Sequence, residues 1–305
     1  AAGLTLIFGM LGVINFAHGA LYMLGAYVSY QVVLVTGSFW IGLLVAPLIV
    51  AVIGALMEML TLKQVYERDH IYQLLLTFGL ILVIDDATKI VWGMDYKQVP
   101  TPDLLAGPVN LFGSMIPAYR LFIIGFGAVA SLVLFLLLDR SKWGMVIRAA
   151  SADPDMASTL GVDVAKVRTG VFALGAYLAA LGGAITAPLV PIELGMGFSV
   201  IIDCFVVVII GGLGSVLGSI FGAVFVSILP NVIHLLRGVL PQAIADTGGL
   251  EQLLFGGIIA LFLIFEPEGL YGRWRKLRLF LETYPYYKRA TFVRQKRYLK
   301  TERFK

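Results

Sequence analysis

Long uncharged runs alternate with short polar breaks along most of the chain. Residues 38–57, 121–138 and 169–192 carry no charge. A helix needs about 20 apolar residues to cross a hydrocarbon core, so these runs predict three membrane-spanning helices. Residues 19–36 and 71–91 predict two more, and 252–265 a short sixth. Residues 204–236 are also free of charge, but the run is too long for one simple helix. The cluster Gly211-Gly212-Leu213-Gly214-Ser215 breaks it into a short segment, about 200–212, and a full helix, about 216–236. Residues 1–14 read as the end of another span, with an upstream piece expected before Ala1. That span stops at Asn15-Phe16-Ala17-His18-Gly19. The pattern predicts an all-α integral membrane protein, a polytopic bundle of about 8–9 transmembrane or re-entrant helices.

Composition strengthens this reading. Hydrophobic residues make up 59% of the chain and charged residues only 14%, against about 25% charged in soluble domains. The net charge of +4 hides an asymmetry. Residues 272–305 hold 12 Lys and Arg against 2 Glu, a net of +10, and the rest holds 11 against 17, a net of −6. The chain thus divides into a membrane domain, 1–271, and a basic tail, 272–305. Cytoplasmic connections are enriched in Lys and Arg. Lys63 and Arg68 lie in one connection, and Arg140, Lys142, Arg148, Lys166 and Arg168 in another, 139–168; with the tail they hold 19 of the 23 cations. Alternating the spans puts these segments and residues 15–18 on the cytoplasmic side, with 92–119, 188–199 and 237–249 outside. The lone Cys204 reads as a packing residue, and no intrachain disulfide is possible.

Several breaks carry polar groups. Asn15 and His18 interrupt two apolar runs; they either supply hydrogen bonds beside a pathway or form an ordinary turn. Asp85 and Asp86 fall inside a predicted span, with Lys89 in pairing reach of Asp85, or reach the interface early. Asp203 and Glu193 bracket the 200–212 segment, facing a polar cavity or its rim. Gly218 and Gly222 have the spacing of a close helix contact. His70 and His234 lack companions at metal-ligand spacing, and no metal site is expected. No G-x-x-x-x-G-K-[ST] phosphate loop occurs, which excludes ATP binding by that motif, and no partnered serine marks an intramembrane protease. In the loop 149–163, Asp153 or Ser151 caps a short helix with Pro154 at its first position and Gly161 at its end. Met156, Ala157 and Leu160 are then exposed, for docking another protein or for lying on lipid. The tail reads as attracted to anionic lipid rather than nucleic acid.

The stretch Gly9-Met10-Leu11-Gly12-Val13-Ile14-Asn15-Phe16-Ala17-His18-Gly19, with Tyr22-Met23-Leu24-Gly25-Ala26-Tyr27, resembles the opening of a branched-chain amino-acid ABC importer permease of the LivH type. Further likeness lies in Gln73-Leu74-Leu75-Leu76-Thr77-Phe78-Gly79-Leu80, Ala152-Asp153-Pro154-Asp155-Met156-Ala157 with Gly161, Phe172-Ala173-Leu174-Gly175 with Gly182-Gly183, Ile210-Gly211-Gly212-Leu213-Gly214-Ser215 and Glu266-Pro267-Glu268-Gly269-Leu270. Asp85, Asp86, Asp203 and the tail after Arg273 fall outside the shared pattern. The resemblance implies a non-enzymatic subunit of the bacterial cytoplasmic membrane, forming half of a pathway for branched-chain or other hydrophobic amino acids. It implies a homologous second permease, two ATP-binding cassette subunits that hold ATP and magnesium, and a soluble substrate-binding protein outside. This chain itself would need no cofactor. Asn15, Phe16, His18, Tyr22 and Asp203 are the candidate pathway residues. Asp153, Pro154, Met156, Ala157, Leu160 and Gly161 would form the coupling helix against an ATPase. Relatives for urea, amides or aromatic acids share the pattern, and a stand-alone channel or secondary transporter is the competing class.

Overall fold

The computed structural model describes residues 1–66, 68–111, 113–237, 250–266 and 269–283. Among them the chain forms twelve helices and one two-stranded hairpin. The apolar runs become long helices: α2 (Ala17–Thr36), α3 (Phe39–Leu60), α4 (His70–Trp92) and α5 (Ala118–Arg140), all after a short α1 (Ala2–Leu11). Two short helices, α6 (Lys142–Ala152) and α7 (Pro154–Thr159), lead into α8 (Val164–Thr186). Then come α9 (Met196–Gly211), α10 (Val216–Arg237), α11 (Leu250–Phe265) and α12 (Gly269–Thr283). Helices α2, α3, α5, α8 and α10 are long and apolar enough to span a membrane. The predicted helical membrane bundle therefore forms, with a hairpin of β1 (Pro108–Leu111) and β2 (Ser114–Pro117) added between α4 and α5.

The bundle closes where side chains are smallest. Gly25 of α2 lies on Ala180 of α8, Gly54 of α3 on Ala176 of α8, and Gly211 of α9 on Gly218 of α10; a methyl group at any of these glycines would strike the neighbouring helix. Hydrocarbon offers helices no hydrophobic drive to associate, so close backbone approach supplies the contact energy. The Gly218/Gly222 spacing is used in this way, because Gly222 sits on the Val207 carbonyl and Gly211.

Helix directions follow from a few contacts. Thr169, near the start of α8, donates to Glu58, near the end of α3, at 2.6 Å. Tyr119, near the start of α5, donates to the Ile185 carbonyl near the end of α8 at 2.7 Å. One end of the bundle thus collects residues 61–66 and 141–163. Residues 9–12 join them, since Ser151 donates to the Gly9 carbonyl at 2.9 Å. The joint 212–215 joins them through Gly214 against Gly9, as does the root of α12 through Gly269 against Gly212. This is the cation-rich end. The opposite end carries the hairpin and a two-way backbone bridge between Lys97 and Ile192, at 3.0 and 2.8 Å.

Four expectations change. The span read as 169–192 begins earlier and ends at Thr186, because Pro188 has no N–H to continue the ladder. The connection 139–168 holds a second helix, α6. The boundary between 271 and 272 falls inside α12, while residues 238–249 and 284–305 lie outside the described residues. The fourth concerns residues 15–18. Gly3 lies against Gly175, the twelfth of the 23 residues of α8, and the His18 ring lies beside Gly3. From there α1 descends toward the cation-rich end, Gly12 turns the chain with φ 65, and the non-helical stretch 12–15 climbs back. Nine helical residues descend about 13 Å, and by His18 the chain is back beside Gly3. Residues 15–18 are therefore at mid-height of the bundle, not at its cation-rich end.

Candidate functional site

The returning stretch places unpaired polar groups inside the bundle. Asn15 is fully buried, and neither its Oδ1 nor its Nδ2 finds a hydrogen-bond partner among the described residues. The same holds for Nδ1 of buried His18 and Oγ1 of buried Thr5. Helix α2 must start here because the Phe16 backbone already turns helical at φ −68 and ψ −29. Phe16 packs on Phe205 of α9 with ring centroids 4.8 Å apart, which fixes the start of α2 against α9.

A cavity of about 740 Å³ opens beside this break. Its walls are mainly apolar, with Ile123, Phe126, Leu178, Ile185 and Val200 among them. His18 and Tyr22 line it, joined by Ser131 and Ser219. The Tyr22 hydroxyl shares a hydrogen bond with Thr186 Oγ1, which ties α2 to the end of α8. A second cavity of about 380 Å³ lies toward the cation-rich end, where Asp139, Arg148, Ser151 and Ser215 contribute to its wall. Both cavities are lined by α1, α5 and α10. Of the candidate pathway residues, His18 and Tyr22 line the first cavity, and Asn15 and Phe16 are buried beside the break. Asp203 does not reach it: its side chain is exposed midway along α9, while the adjacent Cys204 lines the wall.

The short helix in the 149–163 loop forms as its capping residues require. Asp153 Oδ1 accepts from the Met156 N–H at 2.9 Å, Pro154 opens α7, and Gly161 follows it with φ +86. Met156 and Leu160 are 58% and 77% exposed. Ala157, expected among the exposed residues, is instead 3% exposed: its methyl faces the chain's own interior, and the outward face belongs to Met156 and Leu160. Directly after α7, Asp163 caps α8 by accepting from the Lys166 N–H at 3.1 Å. The hydrogen bond from the Lys166 side chain, followed by the one from its backbone, holds this carboxyl below its ordinary value.

Sequence reasoning passed over Glu58. It is 1% exposed, and it accepts from the Tyr66 hydroxyl at 2.8 Å and from Thr169 at 2.6 Å. Burial, then the bond to Glu58, pushes the Tyr66 phenol up. The Arg168 guanidinium covers the Tyr66 ring at 5.4 Å, and Gln73 Nε2 reaches the carbonyls of Val65, Tyr66 and Arg68. This polar knot fastens the 61–66 turn to the first turns of α8. A lone carboxylate near the end of an apolar run was the signal that marked it. Asp85 and Lys89, which the sequence allowed to pair, make no ion pair among the described residues. Asp85 Oδ1 and the buried Thr88 and Tyr27 hydroxyls are also unpartnered there.

The family model described as branched-chain amino acid transport system, permease component, matches residues 1–263. The chain is similar to the high-affinity branched-chain amino acid transport system permease protein BraD of Pseudomonas aeruginosa, at 27% identity over 90% of each chain. It is equally similar to the corresponding LivH of Escherichia coli K12, at 27% identity over 90% of each chain. A more distant likeness, 24% identity over 88% of this chain and 66% of the other, is to LivM of the same organism. No solved structure matches.

Proposed function

The chain belongs to the family of branched-chain amino acid transport permease components, and from that premise we propose that it forms half of a transmembrane pathway for branched-chain or other hydrophobic amino acids, in a bacterial cytoplasmic membrane. The observation that carries the proposal is the helix break at mid-height, where Asn15 and His18 atoms have no partner among the described residues, beside a cavity walled by aliphatic side chains. Irregular backbone at membrane depth is tolerated where protein or a water-filled path surrounds it. An aliphatic side chain suits such walls, and a few polar groups suffice to orient its polar end.

The sequence lacks the phosphate-loop motif, and in this proposal hydrolysis of ATP with magnesium falls to two partner subunits. Their contact would be α7, which stands at the cation-rich, cytoplasmic end with Met156 and Leu160 outward. The likeness of one chain to both LivH and LivM supports a homologous second permease as the other half. A soluble binding protein would deliver substrate at the opposite end, where the hairpin and residues 187–195 lie. The test is uptake of labelled leucine, isoleucine, valine, urea and phenylalanine in cells with and without this subunit. Loss of uptake of the hydrophobic amino acids, the branched-chain ones first, with urea uptake unchanged, is the expected result. Loss of urea uptake, or unchanged uptake throughout, would overturn the assignment.

A further inference from the structure

We infer that α12 is an interfacial helix that lays its apolar stripe on an anionic bilayer surface at the cation-rich end of the bundle. Helix α12 has 15 residues, a length of about 22 Å, too short and too charged to cross a membrane. Leu270, Trp274, Leu277 and Leu281 recur at i, i+4, i+7 and i+11 and so share one face. Trp274, Leu277 and Leu281 are 55%, 49% and 64% exposed. Together with Arg278 and Glu282 they form a shallow groove of about 240 Å³. At 100° per residue, Arg273 and Arg278 stand at the two edges of the stripe, while Arg275 and Lys276 lie farther round, with the exposed Leu279 on the opposite side and Phe280 just beyond the Arg273 edge. Residues 269–283 thus carry four cations and one Glu, a net of +3.

The root of this helix is held. Gly269 is left-handed at φ +70, and a side chain there would come within 2.6 Å of the Gly212 nitrogen. Tyr271 lies on Gly218, and Arg273 pairs with Glu266 at 2.9 Å. These contacts fix the start of α12 level with the end of α9 and the start of α10, where hydrocarbon gives way to headgroups. Arg278 likewise pairs with Glu282 at 2.7 Å, so what the helix offers a lipid surface is an apolar stripe within a net positive charge, the pattern of a helix lying in the interface. The apolar side chains of one 15-residue helix cannot supply the roughly 800 Å² per partner of a stable protein interface. The positive charge selects anionic lipid, and residues 284–305 add eight more cations against one Glu. The inference needs only that the chain spans a membrane, and stands apart from what it transports.

The single cysteine makes a direct test possible. In a Cys204→Ala background, a nitroxide is placed at Leu277→Cys, Leu281→Cys or, on the polar side, Lys276→Cys in the full chain. The protein is reconstituted in phosphatidylcholine vesicles with and without phosphatidylglycerol. With phosphatidylglycerol, labels at 277 and 281 should favour collision with oxygen over a water-soluble nickel chelate, and the label at 276 the reverse. Removing phosphatidylglycerol should bring 277 and 281 toward the value at 276. Equal nickel access at all three sites in anionic vesicles would overturn the inference. So would labels at 277 and 281 that become shielded only when an ATPase subunit is added, which would assign the stripe to protein. A label at Tyr96→Cys reports whether each preparation is inserted and folded.

Discussion

At the scale of single residues, two buried polar groups show opposite logic. Glu58 has a hydroxyl donor on each oxygen, so its burial is compensated. Leucine in its place would leave the Tyr66 hydroxyl without an acceptor, at about 1–3 kcal/mol, whereas Thr169 retains the Ala165 carbonyl at 3.2 Å. Glu58→Leu is expected to lower thermal stability in detergent by that amount. Glu58→Gln, which keeps an acceptor, should lose about half as much. Equal stability of both variants and the parent would remove the knot from the fold's support. Asn15 is the reverse case, because its amide atoms are buried with no partner among the described residues. Asn15→Leu relieves an unpaired group and should leave stability unchanged or raised by about 1 kcal/mol. Uptake should nonetheless fall at least tenfold, because the break that Asn15 forms sets His18 on the cavity wall. A variant with normal uptake and higher stability would reduce the site to a turn.

At the scale of elements, α7 divides its residues by face. Its cap is local, and Asp153-Pro154 announced it in the sequence because capping depends on neighbours two or three positions away. Which side of so short a helix turns inward depends on α6 and α8, which no local pattern encodes. Ala157 was therefore misplaced, while Met156 and Leu160 were not. The same limit explains the break at Asn15, whose polarity was legible but whose height depends on how far the 12–15 stretch climbs. It also explains Asp203, where a charge in an apolar helix could be seen but its direction could not. Leu160→Arg should leave the fold intact and abolish copurification of the ATPase subunits, since an added charge on a contact face must be desolvated. Ala157→Arg should instead destabilise the chain by about 1–3 kcal/mol through overpacking, before any partner is considered. Full ATPase recovery with Leu160→Arg would move the contact away from α7.

At the scale of the whole molecule, the charge pattern and the helix directions were reached by different routes and agree. The count of charge-free runs placed residues 63–70 and 139–168 on one side through alternation. In the structure the Thr169–Glu58 bond and the Arg168–Tyr66 contact join those two segments directly. Lys63, Arg68, Arg140, Lys142, Arg148, Lys166 and Arg168 lie there, with Arg273, Arg275, Lys276 and Arg278 in α12. Lys97 and Arg120 lie at the opposite end. Each positively charged connection resists transfer across the membrane, and orientation follows the excess. The tie between segments means that the bundle can invert only as a unit, so one labelled position at each end determines the whole topology. In a Cys204→Ala background, Leu160→Cys (77% exposed in the parent) and Tyr96→Cys (72%) provide those positions. An impermeant maleimide should modify Tyr96→Cys in intact spheroplasts and Leu160→Cys only after permeabilisation. Labelling of Leu160→Cys in intact spheroplasts would reverse the orientation, and with it the assignment of α7 to a cytoplasmic ATPase.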